Sequence, residues 1–128
     1  RPSASFARSS APSPLPESLA FWSRSDAIIA WTDTRAGNAD IYASGITWSG
    51  LPAIGWDYDG TAICSDPSNQ YLERIVPDGA GGAHVSWTDT RAGNYDVYLQ
   101  HLTVAGAPYP GLPLGGISLT NDPKTQQL

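Results

Sequence analysis

The chain has 128 residues, enough for one ordinary domain with a core, and its 7 basic and 12 acidic side chains give a formal net charge of −5. This acidic balance argues against a nucleic acid partner, because binding a phosphate backbone normally requires a basic face. No stretch approaches the run of about 18 apolar residues that a membrane span needs, so we expect no membrane span.

The amino-terminal arm, residues 1–16, is rich in serine and proline, a composition typical of a disordered leader. Part of it nevertheless lies 56 residues before a predicted strand at Thr61–Cys64. We therefore predict an extra strand over Ser3–Ser9, equivalent to the last strand of a preceding unit, with an irregular arm as the alternative. Such a spare strand is a candidate to pair with the sheet edge of a neighbouring chain. Its central residues are Ser5, Phe6, Ala7 and Arg8.

Residues 17–72 and 73–128 are two copies of one repeat, with 21 identical pairs among the 56 aligned positions. Exchanges between the copies keep side-chain shape, as where Ile41 is replaced by Val97. A period in this range is typical of stacked units that cannot bury their apolar surface alone. A structural motif is shared by the two copies: Trp31, Asp33, Arg35, Asp40 and Tyr42 in the first, and Trp87, Asp89, Arg91, Asp96 and Tyr98 in the second.

Each copy is predicted to form four short strands, because apolar and polar residues alternate with a period of two between clusters of glycine and proline. No window favours a helix of about ten residues or more. The predicted strands of the first copy are Leu19–Phe21, Ala27–Thr32, Ala39–Trp48 and Thr61–Cys64, and those of the second are Arg74–Val76, Ala83–Thr88, Tyr95–Val104 and Ile117–Thr120.

The pattern Trp-Thr-Asp-Thr-Arg-x-Gly-Asn-x-Asp-Ile/Val-Tyr, preceded in the second copy by Pro-Asp-Gly-Ala-Gly-Gly, resembles a β-propeller-like repeat of secreted bacterial proteins. The resemblance covers about residues 13–128, although the first copy lacks the Pro-Asp-Gly turn. It implies an all-β fold with two four-stranded antiparallel β-propeller-type blades, plus the extra amino-terminal strand, in an extracellular or cell-surface protein. It implies no particular function, since such propellers serve as generic scaffolds.

Two blades are fewer than the four or more that usually close a propeller ring. Three arrangements would cover the flanks: several chains assemble, the chain belongs to a longer polypeptide, or its two units pack face to face. Among these we expect self-association of the chain into a homo-oligomer. A head-to-tail contact that closes gives a ring, and one that does not close gives a filament.

The aspartates of the shared motif have two interpretations. Asp33, Asp40, Asp89 and Asp96 are candidates to bind calcium, because alternating oxygen donors around a glycine turn can wrap a hard cation. The arginine inside each cluster and the lack of a bidentate glutamate count against that ion. We therefore favour a structural role, in which aspartate holds turn amides and arginine bridges to a carboxylate. Calcium is the only cofactor that the sequence brings into question.

No catalytic residues are predicted. His84 and His101 lie on different predicted strands without a zinc-like spacing, and neither has a counterpart in the first copy. Cys64, the only cysteine, is expected to be a buried small hydrophobe without a basic neighbour to activate it. Several aromatic residues outside the shared motif are expected to fill interfaces between blades, with stacking on sugar rings as the alternative: Trp22, Trp48, Trp56, Tyr58, Tyr71 and Tyr109.

Together these features predict a non-catalytic extracellular module, structural or binding, that self-associates through its β-blades. The alternative is an accessory or carbohydrate-binding propeller fragment of a larger secreted hydrolase. A carbohydrate or a protein is the ligand class that either function would allow.

Overall fold

A computed structural model of the chain describes residues 4–8, 26–120, 122–124 and 126, with side chains except at positions 6–8 and 72. These residues form two antiparallel sheets and no helix, which confirms the predicted all-β class. It follows that no helix in these ranges is long and apolar enough to cross a membrane. Sheet 1 contains β1 (Ala4–Arg8), β2 (Ala27–Asp33), β3 (Asp40–Ile46) and β4 (Thr61–Cys64), and sheet 2 contains β5 (Gln70–Pro77), β6 (Ala83–Asp89), β7 (Asp96–Leu102) and β8 (Ile117–Ser118).

The two sheets repeat the same strand register. Ala27 pairs with Ile46 between β2 and β3, and their counterparts 56 residues on, Ala83 and Leu102, pair between β6 and β7. The pairings of β4 on β3 and of β8 on β7 follow the same offset. The register of a hairpin is also fixed by its turn, and the two copies share the turn sequence, so equivalent residues take equivalent positions within the two sheets.

The amino-terminal strand forms, but in a different place from the one predicted. Ser5 pairs with Ala30 of β2, at the position that Arg74 of β5 takes beside Ser86 in sheet 2. The expected equivalence with a last strand was therefore wrong, because β2 exposes an edge away from β3 and β1 pairs with that edge. One edge of β1 therefore pairs with β2 of its own chain. The predicted first strand, Leu19–Phe21, lies outside the described residues.

The hydrophobic core lies between the two sheets, where one face of each is buried. We call these the inner faces. The inner face of sheet 1 contains Ile28, Ala30, Ile41, Ala43 and Gly45, and the inner face of sheet 2 contains Ala83, Val85, Trp87 and Leu102.

The sheets stack head to tail, because the two inner faces are not equivalent in the repeat. The residues on the opposite, outer face of sheet 1 are the repeat counterparts of those on the inner face of sheet 2. Likewise, the residues on the outer face of sheet 2 are the repeat counterparts of those on the inner face of sheet 1. The outer face of sheet 1 contains Ala27, Ile29, Trp31 and Ile46, and the outer face of sheet 2 contains His84, Ser86, Val97, Leu99 and His101; all of these residues are half-buried.

The two sheets fan apart from one side of the stack to the other. β5 contacts β1, β2 and β3, whereas β8 makes no comparable contact with sheet 1 in the described part of the chain. On the β5 side, the Glu73 carboxylate accepts hydrogen bonds from the hydroxyls of Ser5 at 3.0 Å and Thr32 at 3.1 Å. On the other side, a cavity of about 340 Å³ separates Ile63 of β4 from Arg91 and Gly115.

Gly116 lies directly under the indole of Trp87, with φ at +85°. A Cβ at Gly116 would lie 2.6 Å from Cη2 of Trp87, whereas a Cβ at Gly93, with φ at +93°, would meet nothing within 4 Å. We expect Gly116→Ala to lower the free energy of unfolding by about 2–3 kcal/mol, through backbone strain and overpacking together. Gly93→Ala, the matched control, should cost about 1 kcal/mol from strain alone. Urea denaturation measures both, and equal losses would contradict the close approach.

Candidate functional site

The shared motif forms a compact hydrogen-bonded box in sheet 2. Asp89 Oδ1 accepts from the backbone N–H of Arg91 at 2.8 Å and from its Nε at 3.0 Å. Asp89 Oδ2 accepts from Trp87 Nε1 at 2.9 Å and from Arg91 Nη2 at 2.7 Å. The guanidinium of Arg91 lies 4.0 Å above the ring of Tyr98 and donates to the carbonyl of Gly115. The box thus joins β6, its hairpin, β7 and the connection to β8.

Sheet 1 contains the same box in a more exposed position. Asp33 accepts from Trp31 and Arg35 in the same way, and Arg35 lies 4.1 Å above the ring of Tyr42. The hydrogen bond from Arg35 holds the pKa of Asp33 well below its usual range. The Asp33 and Arg35 side chains are 13% and 43% exposed, against 0% and 23% for Asp89 and Arg91. The difference arises because sheet 1 covers the inner face of sheet 2.

The predicted calcium candidates lie in two pairs across the hairpins, Asp33 beside Asp40 and Asp89 beside Asp96. Both carboxylate oxygens of Asp33 and of Asp89 accept hydrogen bonds from arginine. Burial raises the pKa of Asp40, whose Oδ1 accepts from the Asn38 amide at 2.8 Å. Among the described residues, no three side chains of His, Cys, Asp or Glu are placed to hold a metal ion. The arrangement supports the structural role of these aspartates.

Cys64 is buried between the sheets, and burial raises the pKa of its thiol to about 11. A thiol with that pKa is protonated at neutral pH and therefore weakly nucleophilic. The expectation of no basic neighbour was wrong, since Arg91 Nη2 lies 3.0 Å from Cys64 Sγ. The sequence did not indicate this contact, because Arg91 is far from Cys64 along the chain and belongs to the other copy of the repeat.

Trp56 anchors the connection between β3 and β4 to sheet 2. Its side chain is 6% exposed, and its Nε1 donates to the carbonyl of Val104 at 2.9 Å. The indole packs so closely on Gly106 that a Cβ there would lie 2.9 Å from the ring. Trp56 therefore fills the interface between the two sheets, whereas Trp48 and Tyr58 are 68% and 74% exposed.

A cavity of about 310 Å³ opens on the outer face of sheet 1. Leu51, 53% exposed, and Tyr58 flank it. Other residues that line it are Trp31, Ile46, Gly50 and Gly60. Exposed apolar side chains around a concave surface make this cavity a candidate contact site.

Three aromatic rings stack on the outer face of sheet 2. The His101 ring lies 4.0 Å from that of His84 and 3.8 Å from that of Tyr109. Nε2 of His101 lies 2.8 Å from Oδ2 of Asp78, whose Oδ1 accepts from two amides of the turn between β5 and β6. The sequence showed both histidines but not this stack, which forms because His84 and His101 pair directly across β6 and β7.

Asp78 makes stability depend on pH. Burial raises the pKa of Asp78, but hydrogen bonds from His101 and the turn amides outweigh burial and leave that pKa lowered. A lowered pKa means that the carboxylate stabilises the fold above about pH 4, and that this contribution disappears as the pH falls through the folded-state pKa. We expect Asp78→Asn to cost about 1–2 kcal/mol at pH 7 and less at pH 3, compared with the unsubstituted chain by urea denaturation. A difference that grows towards pH 3 would contradict this assignment.

No family model, curated protein or solved structure matches this chain in the comparisons with known proteins. The site therefore rests on its own geometry: two boxes, two sheet faces that no other sheet of the described residues covers, and one apolar cavity. The tryptophan, first aspartate, arginine and tyrosine of each predicted motif meet within their sheet, whereas Asp40 and Asp96 lie beside the box and accept hydrogen bonds from Asn38 and Asn94. The predicted strand residues Ser5, Phe6, Ala7 and Arg8 lie apart from both boxes, in β1.

Proposed function

We propose that this chain is a non-catalytic structural module of the extracellular space or cell surface, which self-associates by stacking its sheets head to tail. The outer face of sheet 2 in one copy covers the outer face of sheet 1 in the next. The observation that carries this proposal is the non-equivalence of the two inner faces. The contact already made between the sheets of one chain can therefore be repeated between chains.

The exposure of equivalent residues supports this continuation. Val85 and Trp87 are fully buried by sheet 1, whereas their counterparts Ile29 and Trp31 are only half-buried. A further sheet packed against the outer face of sheet 1 would cover these two side chains, just as sheet 1 covers their counterparts in sheet 2. Apolar surface of this kind drives association when a complementary face is supplied.

The covering face is more polar than the one used inside the chain. His84 and Ser86 stand where the inner face of sheet 1 has Ile28 and Ala30, and Leu99 stands in place of Ala43. Polar groups in an interface cost desolvation energy, so the contact between chains is weaker than the contact between sheets. Association is accordingly reversible and depends on protein concentration.

The fan-like divergence of the sheets favours a ring over a filament. Each further sheet would be rotated about an axis on the side of β1 and β5, where the sheets lie closest. Repeated rotation about one axis without a rise along it closes into a ring when the rotations complete a full turn, which is the geometry of a β-propeller. Since each chain supplies two sheets, the ring contains an even number of blades.

A complementation experiment tests the head-to-tail contact. Ile29→Arg blocks the outer face of sheet 1, and Leu99→Arg blocks the outer face of sheet 2. Each variant alone should sediment as a monomer, because a buried arginine without a partner is unfavourable. A mixture of the two should form a dimer of one of each, since one unblocked interface remains between them.

Ala36→Arg is the matched control, since it adds the same charge at an exposed hairpin position. It should associate as the unsubstituted chain does in sedimentation velocity runs over a hundredfold range of concentration. Circular dichroism verifies that each variant is folded. A chain that stays monomeric throughout that range, or variants that fail to complement each other, would refute the proposed function.

A further inference from the structure

The connection between β4 and β5, residues 65–69, joins the two sheets and also holds the hairpin of sheet 2. The Thr90 N–H donates to the carbonyl of Asn69 at 3.1 Å, and the Asn69 N–H donates to Thr90 Oγ1 at 3.1 Å. Asp66 Oδ2 lies 3.9 Å from Arg91 Nε. The hairpin of sheet 2 is thus attached to the segment that follows the last strand of sheet 1.

Residues 122–124, which we call the segment after β8, have the same backbone arrangement. The side-chain amide of Asn94 donates to the carbonyls of Asp122 at 3.3 Å and Lys124 at 3.4 Å. The Asp122 carboxylate accepts from the Lys124 N–H at 2.8 Å. The counterparts of these residues, 56 positions earlier, make the same three hydrogen bonds. The segment after β8 therefore has the shape that holds a hairpin after β4, but no further sheet follows sheet 2 within the described ranges.

The hairpin of sheet 1 is the matching element. Thr34 and Arg35 are exposed, whereas their counterparts Thr90 and Arg91 are half-buried. Among the described residues, no sheet precedes sheet 1 whose connection could pack on this hairpin as the connection 65–69 packs on the hairpin of sheet 2.

The charges of the two unmatched elements are complementary. Asp122 is the counterpart of Asp66, and Arg35 is the counterpart of Arg91, with the same residue type at each position. The ion pair found within the chain can therefore form again between two chains without any change of side chain. The same register that places Asp66 beside Arg91 would place Asp122 beside Arg35.

We infer that the segment after β8 of one copy holds the sheet 1 hairpin of a second copy, with Asp122 beside Arg35. This inference rests on the proposed self-association and specifies a contact at the rim of its interface. Opposite charges at a rim favour one orientation of approach, and like charges disfavour the others. Ala36 stays exposed in this arrangement, as its counterpart Ala92 is in sheet 2.

Charge reversal at Asp122 tests the inference. Asp122→Arg should raise the dissociation constant from sedimentation equilibrium at low salt by about tenfold, because two arginines then meet. In an Arg35→Gln background the same substitution should change that constant by less than about twofold, since the like charge is gone. Asp57→Arg is the matched control, because it changes the net charge equally at an exposed turn and should leave the constant unchanged.

The outcomes separate this inference from the proposal beneath it. An unsubstituted chain that never associates would overturn both. Association that Asp122→Arg leaves unchanged, or weakens equally in the Arg35→Gln background, would overturn only the contact between Asp122 and Arg35.

A milder variant keeps the inference testable if circular dichroism shows that Asp122→Arg or Arg35→Gln is unfolded. Asp122→Asn removes the charge and retains an oxygen to accept from the Lys124 N–H. It should raise the dissociation constant about threefold at low salt, and the rise should disappear near 1 M salt, where the Debye length is about 3 Å. No rise at low salt would overturn the inference.

Discussion

Replacing Trp87 by alanine should lower the free energy of unfolding by about 3–5 kcal/mol. The indole is fully buried in the core, stacks with Tyr98 and donates its only N–H to Asp89. Truncation removes this contact area, opens a cavity against Gly116 and leaves Asp89 with one donor fewer. Urea denaturation at a concentration where the chain is monomeric gives the value.

Trp31 provides the matched control, because it makes the same contacts in sheet 1, is only half-buried and has no second sheet over it within the described ranges. Its Nε1 donates to Asp33 at 2.9 Å and its ring stacks with Tyr42. Trp31→Ala should therefore cost less, about 1–2 kcal/mol, since less apolar surface leaves water on folding. Under conditions of the proposed association the difference between the two losses should narrow, because a second copy would then cover Trp31. Equal losses in the monomer would contradict the asymmetric burial.

Asp89→Ala should be about as damaging, with an expected loss of about 3–5 kcal/mol. Asp89 is fully buried and accepts four hydrogen bonds from Trp87 and Arg91. Without the carboxylate, the Arg91 guanidinium and the Trp87 N–H stay in the interface without their main acceptor. A buried charge without its partner lowers the free energy of unfolding by much more than the intact ion pair raises it.

Asp33→Ala is the control for this charge effect. Arg35 is 43% exposed, so water can solvate its guanidinium when Asp33 is removed, and the loss should be clearly smaller. High salt should further reduce the contribution of the exposed pair while leaving that of the buried pair largely intact. Equal destabilisation by the two substitutions, measured by urea denaturation, would show that burial does not decide the strength of the box.

The local structure could largely be predicted from the sequence. The strand at Thr61–Cys64 has the predicted bounds, and β2 and β6 each extend one residue further than expected. These strands are determined by alternation of apolar side chains and by glycine turns, which act over a few residues. The sequence also identified the box residues, because a shared Trp, Asp and Arg at fixed spacing in two copies points to one repeated contact.

Long-range placement could not be predicted in the same way. The partner of β1, the contact of Arg91 with Cys64 and the seating of Trp56 on Gly106 each join residues far apart in the chain. Two copies of one repeat give no signal about which face of one sheet covers which face of the other. The 56-residue offset compares positions along the chain, so it does not indicate which edge of a sheet a segment pairs with.

The sequence by itself determined that the chain is all-β, that it contains two equivalent units, and that each unit closes its hairpin with the same box. These properties follow from short-range alternation, turn chemistry and identity between the copies. Only the tertiary structure decided that the sheets stack head to tail and that one box is buried and the other exposed. The physical reason is that burial depends on what packs against a residue, and equivalent residues of a repeat acquire different neighbours once the copies pack on each other.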